Sequence, residues 1–300
     1  MTRQPERIVV TGASGRLGKT IATAARRAGA HVVSCDRVPA PNVVTADIRD
    51  LHRLASLFDG ADCVIHCAGL HAPHVGVRPD AEFRDINVDG TATVLQAMRQ
   101  VGVRSLVFTS TTALLGGGAR AGEPARWIDD ATQPRPRSIY HETKIAAEHL
   151  IRSACGASLS ASILRVGRCF EEPQHIMAIH RLSRGIDPRD AAMAHLRAAR
   201  FTKRHPEPLI VSYSTPFQRS DCGGLGHQAA TVIRNRCPDL ARRFDMLGWS
   251  LPETIDRVYD SSTARSQWCW TPKLGPETML ESQPRQPSKT QRANSMHDYF

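Results

Sequence analysis

A tyrosine and a lysine four residues apart are the pair in this sequence with the clearest chemical potential. They are Tyr140 and Lys144. On a helix, a spacing of four places both side chains on one face. A neighbouring ammonium lowers the pKa of a phenol, so Tyr140 is predicted to exchange a proton with a substrate hydroxyl or carbonyl near neutral pH. His141, beside it, is interpreted as an exposed helix residue rather than a second base.

A Tyr/Lys spacing of four also occurs by chance on surface helices. The residues before this pair support the functional interpretation. Residues 105–109 have the pattern of a buried strand, and hydroxyl-bearing residues follow at its end. In α/β sheets, ligands bind at the carboxyl ends of the strands. The hydroxyl groups of Thr111 and Thr112 are therefore predicted to emerge at the edge of the sheet where a ligand binds.

The amino-terminal segment combines an apolar strand, a glycine-rich turn and a helix. The turn contains Gly12, Gly15 and Gly18 in the pattern Gly-x-x-Gly-x-x-Gly. Glycines permit a tight turn and close approach of the backbone, so a pyrophosphate can bind the free N–H groups at the helix N-terminus. Because a strand and a helix flank the turn, the pattern predicts dinucleotide binding.

An acidic residue follows the second predicted strand. Asp36 stands about 20 residues beyond the glycines, where a carboxylate can accept hydrogen bonds from the ribose hydroxyls of NAD. Arg16 and Arg37 leave NADP open, since either guanidinium can hold a 2′-phosphate. Asp47 and Ile48 suit the adenine edge, although Asp47 can equally stand at the start of the following helix.

The order of predicted elements defines the fold class. Strands are predicted at 7–11, 31–35, 63–67, 105–109 and 160–166, and helices at 17–28, 51–58, 86–100 and 140–154. This alternation predicts an α/β fold, a Rossmann-type doubly wound parallel sheet with a small C-terminal substrate-side lobe. Residues 1–168 are assigned to the dinucleotide-binding domain and 169–280 to the lobe, part of which can return to the sheet. Residues 281–300 are predicted to be a flexible tail.

Composition limits the class of protein. The net charge is +10, mostly from the second half, but aromatic residues make up only 5%. Nucleic-acid binding is therefore not favoured, and a site for a phosphorylated anion explains the charge more economically. The eight cysteines form no CxxC pair, which predicts reduced thiols and no metal site. No apolar run approaches the roughly 20 residues of a membrane span, so a cytoplasmic protein without membrane association is expected.

Together these motifs resemble the extended short-chain dehydrogenase/reductase superfamily, and within it the NAD-dependent epimerase/dehydratase branch. The resemblance covers about residues 7–274. The matching elements are Thr11-Gly12-x-x-Gly15-x-x-Gly18, Asp36, Asp47-Ile48, His66-Cys67-Ala68-Gly69, Asn87-Val88-x-Gly90-Thr91, Ser110-Thr111, Tyr140-x-x-x-Lys144, Leu164-Arg165 and Ile255-Asp256-Arg257-Val258-Tyr259.

The resemblance implies roles for these residues. Thr111 would hydrogen-bond the reacting oxygen, Tyr140 would be the acid and base, and Lys144 would also hold the nicotinamide ribose. Cofactor contacts are implied for Gly12, Ser14, Gly15, Arg16, Leu17, Gly18, Asp36, Arg37, Asp47, Ile48, Cys67, Ala68, Gly69, Asn87, Tyr140 and Lys144. Asn87 would brace the loop at 67–69. Substrate contacts are implied for His71, Thr111, Thr112 and Arg168, with a surface loop position as the equal alternative for His71.

The implied activity is that of an NAD(P)-dependent epimerase or dehydrogenase acting on a sugar or nucleotide sugar. Dehydration is not favoured, because Thr112-Ala113 stands where dehydratases of this branch carry Asp-Glu. A uronate is not favoured unless Arg168 binds it, because Met177 occupies the position of the carboxylate-binding arginine. The alternative is a redox-sensing dinucleotide-binding protein with weak catalysis, a class that typically loses the Tyr/Lys pair.

The resemblance also implies a homodimer. Its relatives pair the helices that begin near Asn87 and Tyr140 into a four-helix bundle. Ala146, Ala147 and Leu150 give the second of these helices an apolar face. A dimer that takes a small-molecule substrate is therefore expected.

Overall fold

A parallel sheet is the centre of the computed structural model, which describes residues 5–120 and 122–281. The strands are β1 (Arg7–Thr11), β2 (His31–Asp36), β3 (Val44–Thr45), β4 (Cys63–His66), β5 (Ser105–Thr111), β6 (Arg126–Ile128), β7 (Ser160–Val166), β8 (Leu209–Val211) and β9 (Arg257–Tyr259). Seven of them form one sheet in the order β3-β2-β1-β4-β5-β7-β8, with every neighbouring pair parallel. The predicted doubly wound sheet is thus confirmed.

Helices cover both faces of this sheet. They are α1 (Arg16–Arg27), α2 (Leu51–Phe58), α3 (Asp80–Arg84), α4 (Gly90–Gln100), α5 (Ile139–Ala154), α6 (Gln174–Ser183), α7 (Pro188–Ala198), α8 (Cys222–His227), α9 (Ala229–Arg236), α10 (Pro238–Leu247), α11 (Ser262–Gln267) and α12 (Thr278–Glu281). Successive side chains of a strand point to opposite faces. On β1, Ile8 and Val10 therefore pack in the layer of α1 and α7, whereas Val9 packs with α2, α4 and α5.

The chain beyond residue 168 is shared between the sheet and a smaller lobe. Its strand β8 extends the sheet beside β7, and α7 packs on α1. A separate apolar core joins α6 to α8, α9 and α10, and β9 pairs with β6 from the first half. A domain boundary at 168/169 stays a prediction. The tail predicted at 281–300 lies outside the described residues, apart from residue 281.

The helix predicted at 86–100 is longer and less regular than expected. It starts with α3 at Asp80 and passes through a π-helical stretch, Asp85–Asp89, before α4. Such stretches are rare and occur often at functional sites. Its Asn87 side chain bonds to Leu70, a long-range contact that no local sequence pattern records.

Among the helices of residues 5–120 and 122–281, none combines the length and apolar character needed to cross a membrane.

Candidate functional site

The turn between β1 and α1 is built so that only glycine fits at two of its positions. Gly12 has φ +69°, and a Cβ there would lie 2.6 Å from the backbone nitrogen of Ala68. A Cβ on Gly18 would overlap the carbonyl oxygen of Gly12. Gly15 is the N-cap of α1 and supplies no side-chain cap. The first turn of α1 thus presents backbone N–H groups at the positive end of the helix dipole, which suits a phosphate.

The carboxylate of Asp36 faces this turn from the end of β2. It accepts hydrogen bonds from the backbone N–H of Ser14 at 3.0 Å and of Val38 at 2.9 Å. Arg37 is paired with Glu82 at 3.5 Å, and Arg16 lies 3.9 Å from Glu171. Both candidate 2′-phosphate ligands therefore have acidic neighbours.

Two alternatives were open for Asp47. The N-cap of α2 is Asp50, whose carboxylate accepts the N–H of Arg53 at 3.0 Å. Asp47 instead accepts a hydrogen bond of 2.7 Å from the guanidinium of Arg49, and its hydrogen bonds with Arg49 lower the pKa of Asp47. Asp47 lines the central cavity beside Ile48.

The loop after β4 is held by two buried polar groups. His66 bonds through Nδ1 to the Thr11 hydroxyl at 2.7 Å and through Nε2 to the Thr91 hydroxyl at 3.1 Å. Asn87 accepts the N–H of Leu70 at 2.7 Å and donates to the carbonyl oxygen of Leu70 at 3.1 Å. It also donates to the Thr143 hydroxyl at 3.0 Å. The loop is thereby fixed to β1 and to α5.

Tyr140 and Lys144 lie on one side of α5 but have different partners. Burial raises the pKa of Tyr140 to about 12, and its hydrogen bond with Thr111 opposes that rise. The Lys144 Nζ donates to the carbonyl oxygen of Thr109 at 2.6 Å and lies 4.0 Å from the centre of the Phe108 ring. Burial lowers the pKa of Lys144 to about 8, although Glu148 acts in the opposite direction.

This arrangement corrects one expectation about Tyr140. The spacing of four predicted that the ammonium would lower the phenol pKa, but the pKa is raised. The physical reason is burial of the Tyr140 phenol, which disfavours its charged form. At neutral pH the phenol keeps its proton and is a hydrogen-bond and proton donor.

A buried ion pair fixes α5 to the sheet behind these residues. Arg165 on β7 donates twice to Glu148 on α5, at 3.1 and 2.7 Å. The Ser110 hydroxyl on β5 donates to the same carboxylate at 2.5 Å. Because such bidentate pairs are geometrically specific, Glu148 sets the height of α5 above β5 and β7.

The opposite end of the site contains paired arginines. Arg168 donates two hydrogen bonds to Glu172, both 2.7 Å long. Arg184 and Arg257 share one carboxylate, that of Asp256, at 3.2 and 2.7 Å. Burial opposes ionisation of Asp256, but the two guanidinium groups keep its pKa below the usual value. Two cations facing one anion leave this end of the site positive.

These parts surround one cavity of about 690 Å³. Its lining includes every predicted site residue except Asn87, which stands one layer behind: Gly12, Ser14, Gly15, Arg16, Leu17, Gly18, Asp36, Arg37, Asp47, Ile48, Cys67, Ala68, Gly69, His71, Thr111, Thr112, Tyr140, Lys144 and Arg168. Sequence analysis gave no site role to His74, Arg257 or Tyr259, which also line it. Arg257 and Tyr259 alternate along β9, so a strand pattern at 257–259 was the available signal.

The fold and the cavity together define a class of protein. A parallel doubly wound sheet with a glycine turn, an acidic residue ending β2 and a Tyr/Lys helix is a dinucleotide-binding α/β protein. Residues 8–177 match the family model described as the NAD dependent epimerase/dehydratase family. The chain belongs to this family, as the sequence resemblance indicated.

Two curated relatives illustrate the range of the family. The chain is 30% identical over 156 residues to a 3-beta-hydroxysteroid dehydrogenase of Mycolicibacterium neoaurum, covering 48% of this chain and 42% of that protein. It is 33% identical over 162 residues to a UDP-glucose 4-epimerase of Streptomyces lividans, covering 50% and 47%. The chain thus spans less than half the length of these relatives.

Solved structures resemble the whole fold. A UDP-glucose-4-epimerase from Stenotrophomonas maltophila with bound NAD and formylated UDP-arabinopyranose has a TM-score of 0.69 at 20% identity, covering 97% of this chain and 99% of that one. MoeE5 in complex with UDP-glucose and NAD has a TM-score of 0.65 at 22% identity, covering 96% and 99%. At these identities the likeness establishes the fold.

Two buried histidines should make the protein sensitive to acid. Burial lowers the pKa of His66 to about 3 and that of His195 to about 4, whereas an unfolded histidine titrates near 6.5. Between these values the unfolded chain binds more protons, so the free energy of unfolding falls as pH falls below about 6.5. At pH 5 each histidine should remove about 2 kcal/mol.

Urea unfolding at pH 7 and pH 5 measures this effect. His195→Gln should reduce the difference between the two pH values, because the variant lacks one of the titrating groups. His205→Gln, at an exposed position, is the matched control. An equal loss in all three proteins would show that other groups cause the acid sensitivity.

Proposed function

We propose that this protein is an NAD-dependent oxidoreductase that acts at a hydroxyl-bearing carbon of a sugar or nucleotide sugar, as a dehydrogenase or epimerase. One observation carries the proposal: the residues Tyr140 and Thr111 share a cavity with the glycine turn and with Asp36. The names of the relatives, a hydroxysteroid dehydrogenase and a sugar epimerase, both describe chemistry at such a carbon.

The cavity fits a dinucleotide at each point where one would make contact. Gly12 and Gly15 line the cavity with no side chain, where a diphosphate would lie, and Asp36 stands where ribose hydroxyls would approach. Lys144, at the far end, would hold the second ribose. NAD, when bound, supplies the hydride acceptor.

The residues of the chain then have separate tasks. As the phenolate, Tyr140 takes a proton from the substrate hydroxyl, and as the neutral phenol it gives one to the carbonyl. Thr111 donates a hydrogen bond to the oxygen on which charge develops. The Lys144 ammonium favours the phenolate that forms when Tyr140 gives up its proton. Asn87 and Glu148 keep the loop and helix in place.

The charges at the arginine end favour an anionic substrate. Arg184 and Arg257 share only Asp256, so a phosphate group would compensate the remaining positive charge. Arg168 already holds Glu172 through two bonds. A sugar carboxylate would have to displace that partner, and this supports a nucleotide sugar over a uronate. The binding-protein alternative is not favoured, because the Tyr/Lys pair is present.

Incubation with a panel of substrates tests this function. Nucleotide sugars, sugar acids and a 3β-hydroxysteroid are each mixed with protein and NAD, and the absorbance of reduced nicotinamide is followed. Epimerisation leaves no net absorbance change, so each mixture is also separated by chromatography. Conversion of a nucleotide sugar is the expected result. Conversion of the steroid alone would contradict the proposed substrate class.

The cofactor preference gives a separate prediction. Asp36→Ala should weaken NAD binding by about tenfold or more, since hydrogen bonds to a charged group contribute about 1.5–3 kcal/mol. NADP binding should weaken less, because the negative 2′-phosphate is already repelled by the Asp36 carboxylate. Calorimetry with both nucleotides measures the two affinities, and Arg37→Ala is the comparison variant. If Arg37→Ala weakens NADP strongly while Asp36→Ala leaves NAD unchanged, the pocket is selective for the phosphate.

We also propose a homodimer formed through α4 and α5. On α5, Ala146 and Leu150 are partly exposed, whereas Ala147 points into the core and cannot contribute, contrary to the sequence interpretation. Light scattering should give twice the mass of one chain. Leu150→Glu should produce a monomer, and Met246→Glu, at a position 77% exposed on α10, should not. A monomeric wild-type protein would contradict this proposal.

A further inference from the structure

A histidine outside the cavity is linked through hydrogen bonds to a cysteine in the cavity wall. His195 on α7 is fully buried, and its Nδ1 lies 2.7 Å from the carbonyl oxygen of Ala191. A carbonyl oxygen only accepts, so Nδ1 carries the ring hydrogen and Nε2 is left as an acceptor. The Thr109 hydroxyl, 2.9 Å away, must then donate its proton to Nε2.

This direction determines the state of a cysteine in the cavity wall. The Thr109 oxygen lies 3.0 Å from the Sγ of Cys67. Because the hydroxyl hydrogen is already donated in the bond to His195, that oxygen can only accept from the thiol. Cys67 is therefore held as a neutral S–H donor beside the cavity that it lines.

The charged group that faces Cys67 acts in the opposite sense. Lys144 donates to the carbonyl oxygen of the same Thr109 at 2.6 Å, and its ammonium favours a thiolate at Cys67. If the Thr109 hydroxyl were free to turn, it could donate to that thiolate as well. A thiolate would then compete with the cofactor ribose and with Tyr140 for the ammonium of Lys144.

We propose that His195 is a positioning residue. By accepting the hydrogen bond of the Thr109 hydroxyl, it keeps Cys67 a neutral thiol and leaves Lys144 available at the reacting end of the cavity. The second half of this statement rests on the proposed function. The first half, the state of Cys67, is independent of any substrate.

Alkylation of the full chain by iodoacetamide at pH 8, without cofactor, tests the state of the thiol. The thiolate is the reacting form, and mass spectrometry of the Cys67 peptide gives its rate. His195→Leu frees the Thr109 hydroxyl to donate to the thiolate, so labelling should become about tenfold faster. Thr109→Val removes the oxygen that accepts from the S–H group, so the neutral thiol loses its hydrogen bond and Cys67 should label severalfold faster than in the wild-type protein. His195→Gln should label at nearly the wild-type rate, since an amide oxygen can accept the same proton.

The second cysteine of the cavity distinguishes this role from a packing role, because the proposal predicts faster labelling of Cys67 alone. Loosened packing would expose the cavity and accelerate the labelling of both Cys67 and Cys169, which also lines it. Slower labelling of Cys67 in Thr109→Val, or an unchanged rate in His195→Leu, overturns the proposal. Should His195→Leu not fold, Thr109→Val and Thr109→Ser decide, because only serine keeps the hydroxyl and the wild-type rate.

Turnover tests the consequence for Lys144. On a substrate that the wild-type protein converts, His195→Leu should lower kcat, and combining it with Cys67→Ala should restore the kcat of Cys67→Ala alone. Without a thiol, no thiolate remains to attract the ammonium. Failure of this restoration overturns the link to Lys144. A wild-type protein that converts nothing contradicts the proposed function instead and leaves the alkylation result intact.

Discussion

Tyr140→Phe should lower turnover about a hundredfold or more and leave the affinity for NAD nearly unchanged. Loss of a positioned acid or base typically costs this much. Phenylalanine keeps the ring in its buried site and removes only the hydroxyl that bonds to Thr111. Single-turnover kinetics on a confirmed substrate measures the chemical step, and calorimetry measures the cofactor affinity.

Two comparison variants make this result specific. Thr111→Val should also act on turnover rather than on cofactor binding, because its hydroxyl contacts the oxygen on which charge develops. Tyr213→Phe removes a hydroxyl beside Gly275, away from the reacting residues, and should leave turnover at the wild-type level. Full activity of Tyr140→Phe would contradict the mechanism, and His71 in the cavity wall would become the candidate base.

Because the pKa of Tyr140 is raised, the rates of reduction and of oxidation should depend differently on pH. With a pKa of about 12 in the protein, the phenol is protonated throughout the neutral range. Reduction of a carbonyl, which consumes a proton, should therefore proceed at nearly constant rate between pH 6 and 8. Oxidation, which needs the phenolate, should accelerate as pH rises. An oxidation rate independent of pH would contradict this assignment.

Lys144→Met should abolish most activity without destabilising the fold. The ammonium supports the phenolate of Tyr140 and is expected to hold the cofactor ribose, so both turnover and NAD affinity should fall. We expect a combined loss in kcat/KM of about a hundredfold or more. Lys273→Met, which removes an exposed lysine, is the control.

Unfolding in urea distinguishes a folded but inactive Lys144→Met protein from an unfolded one. Lysine in the unfolded chain titrates near 10.5, but burial lowers the pKa of Lys144 to about 8. Below pH 8 the buried charge costs the folded state about 3 kcal/mol. Lys144→Met should therefore unfold at a urea concentration no lower than the wild-type protein at pH 7.

The sign of the pH dependence follows from the same two values. Between pH 8 and 10.5 the unfolded chain keeps a proton that the folded chain has released, so Lys144 makes the wild-type protein gain stability as pH rises. The variant lacks this gain, and the stability difference between the two proteins should shrink over that range. A variant that unfolds readily at pH 7 would show that Lys144 is needed for folding.

Much of the fold follows from local sequence, and the glycine turn shows why. Strand, turn and helix follow one another within residues 7–27, so their chemistry is readable from adjacent residues. The same holds for Asp36 at the end of β2, and for the spacing of Tyr140 and Lys144 on α5. A period of two or of 3.6 residues is a local property of the chain. The family membership was readable on the same basis.

The tertiary structure decided what depends on distant partners. The direction of the Tyr140 pKa shift depends on burial beneath several segments, and the turn of Lys144 toward Thr109 depends on where β5 lies beneath α5. The entry of Arg257 into the cavity depends on the pairing of β9 with β6, more than a hundred residues earlier in the chain. The link from His195 to Cys67 joins α7, β5 and the loop after β4. Hydrogen bonds and desolvation act over a few ångströms in space, so a sequence determines them only after the chain has folded.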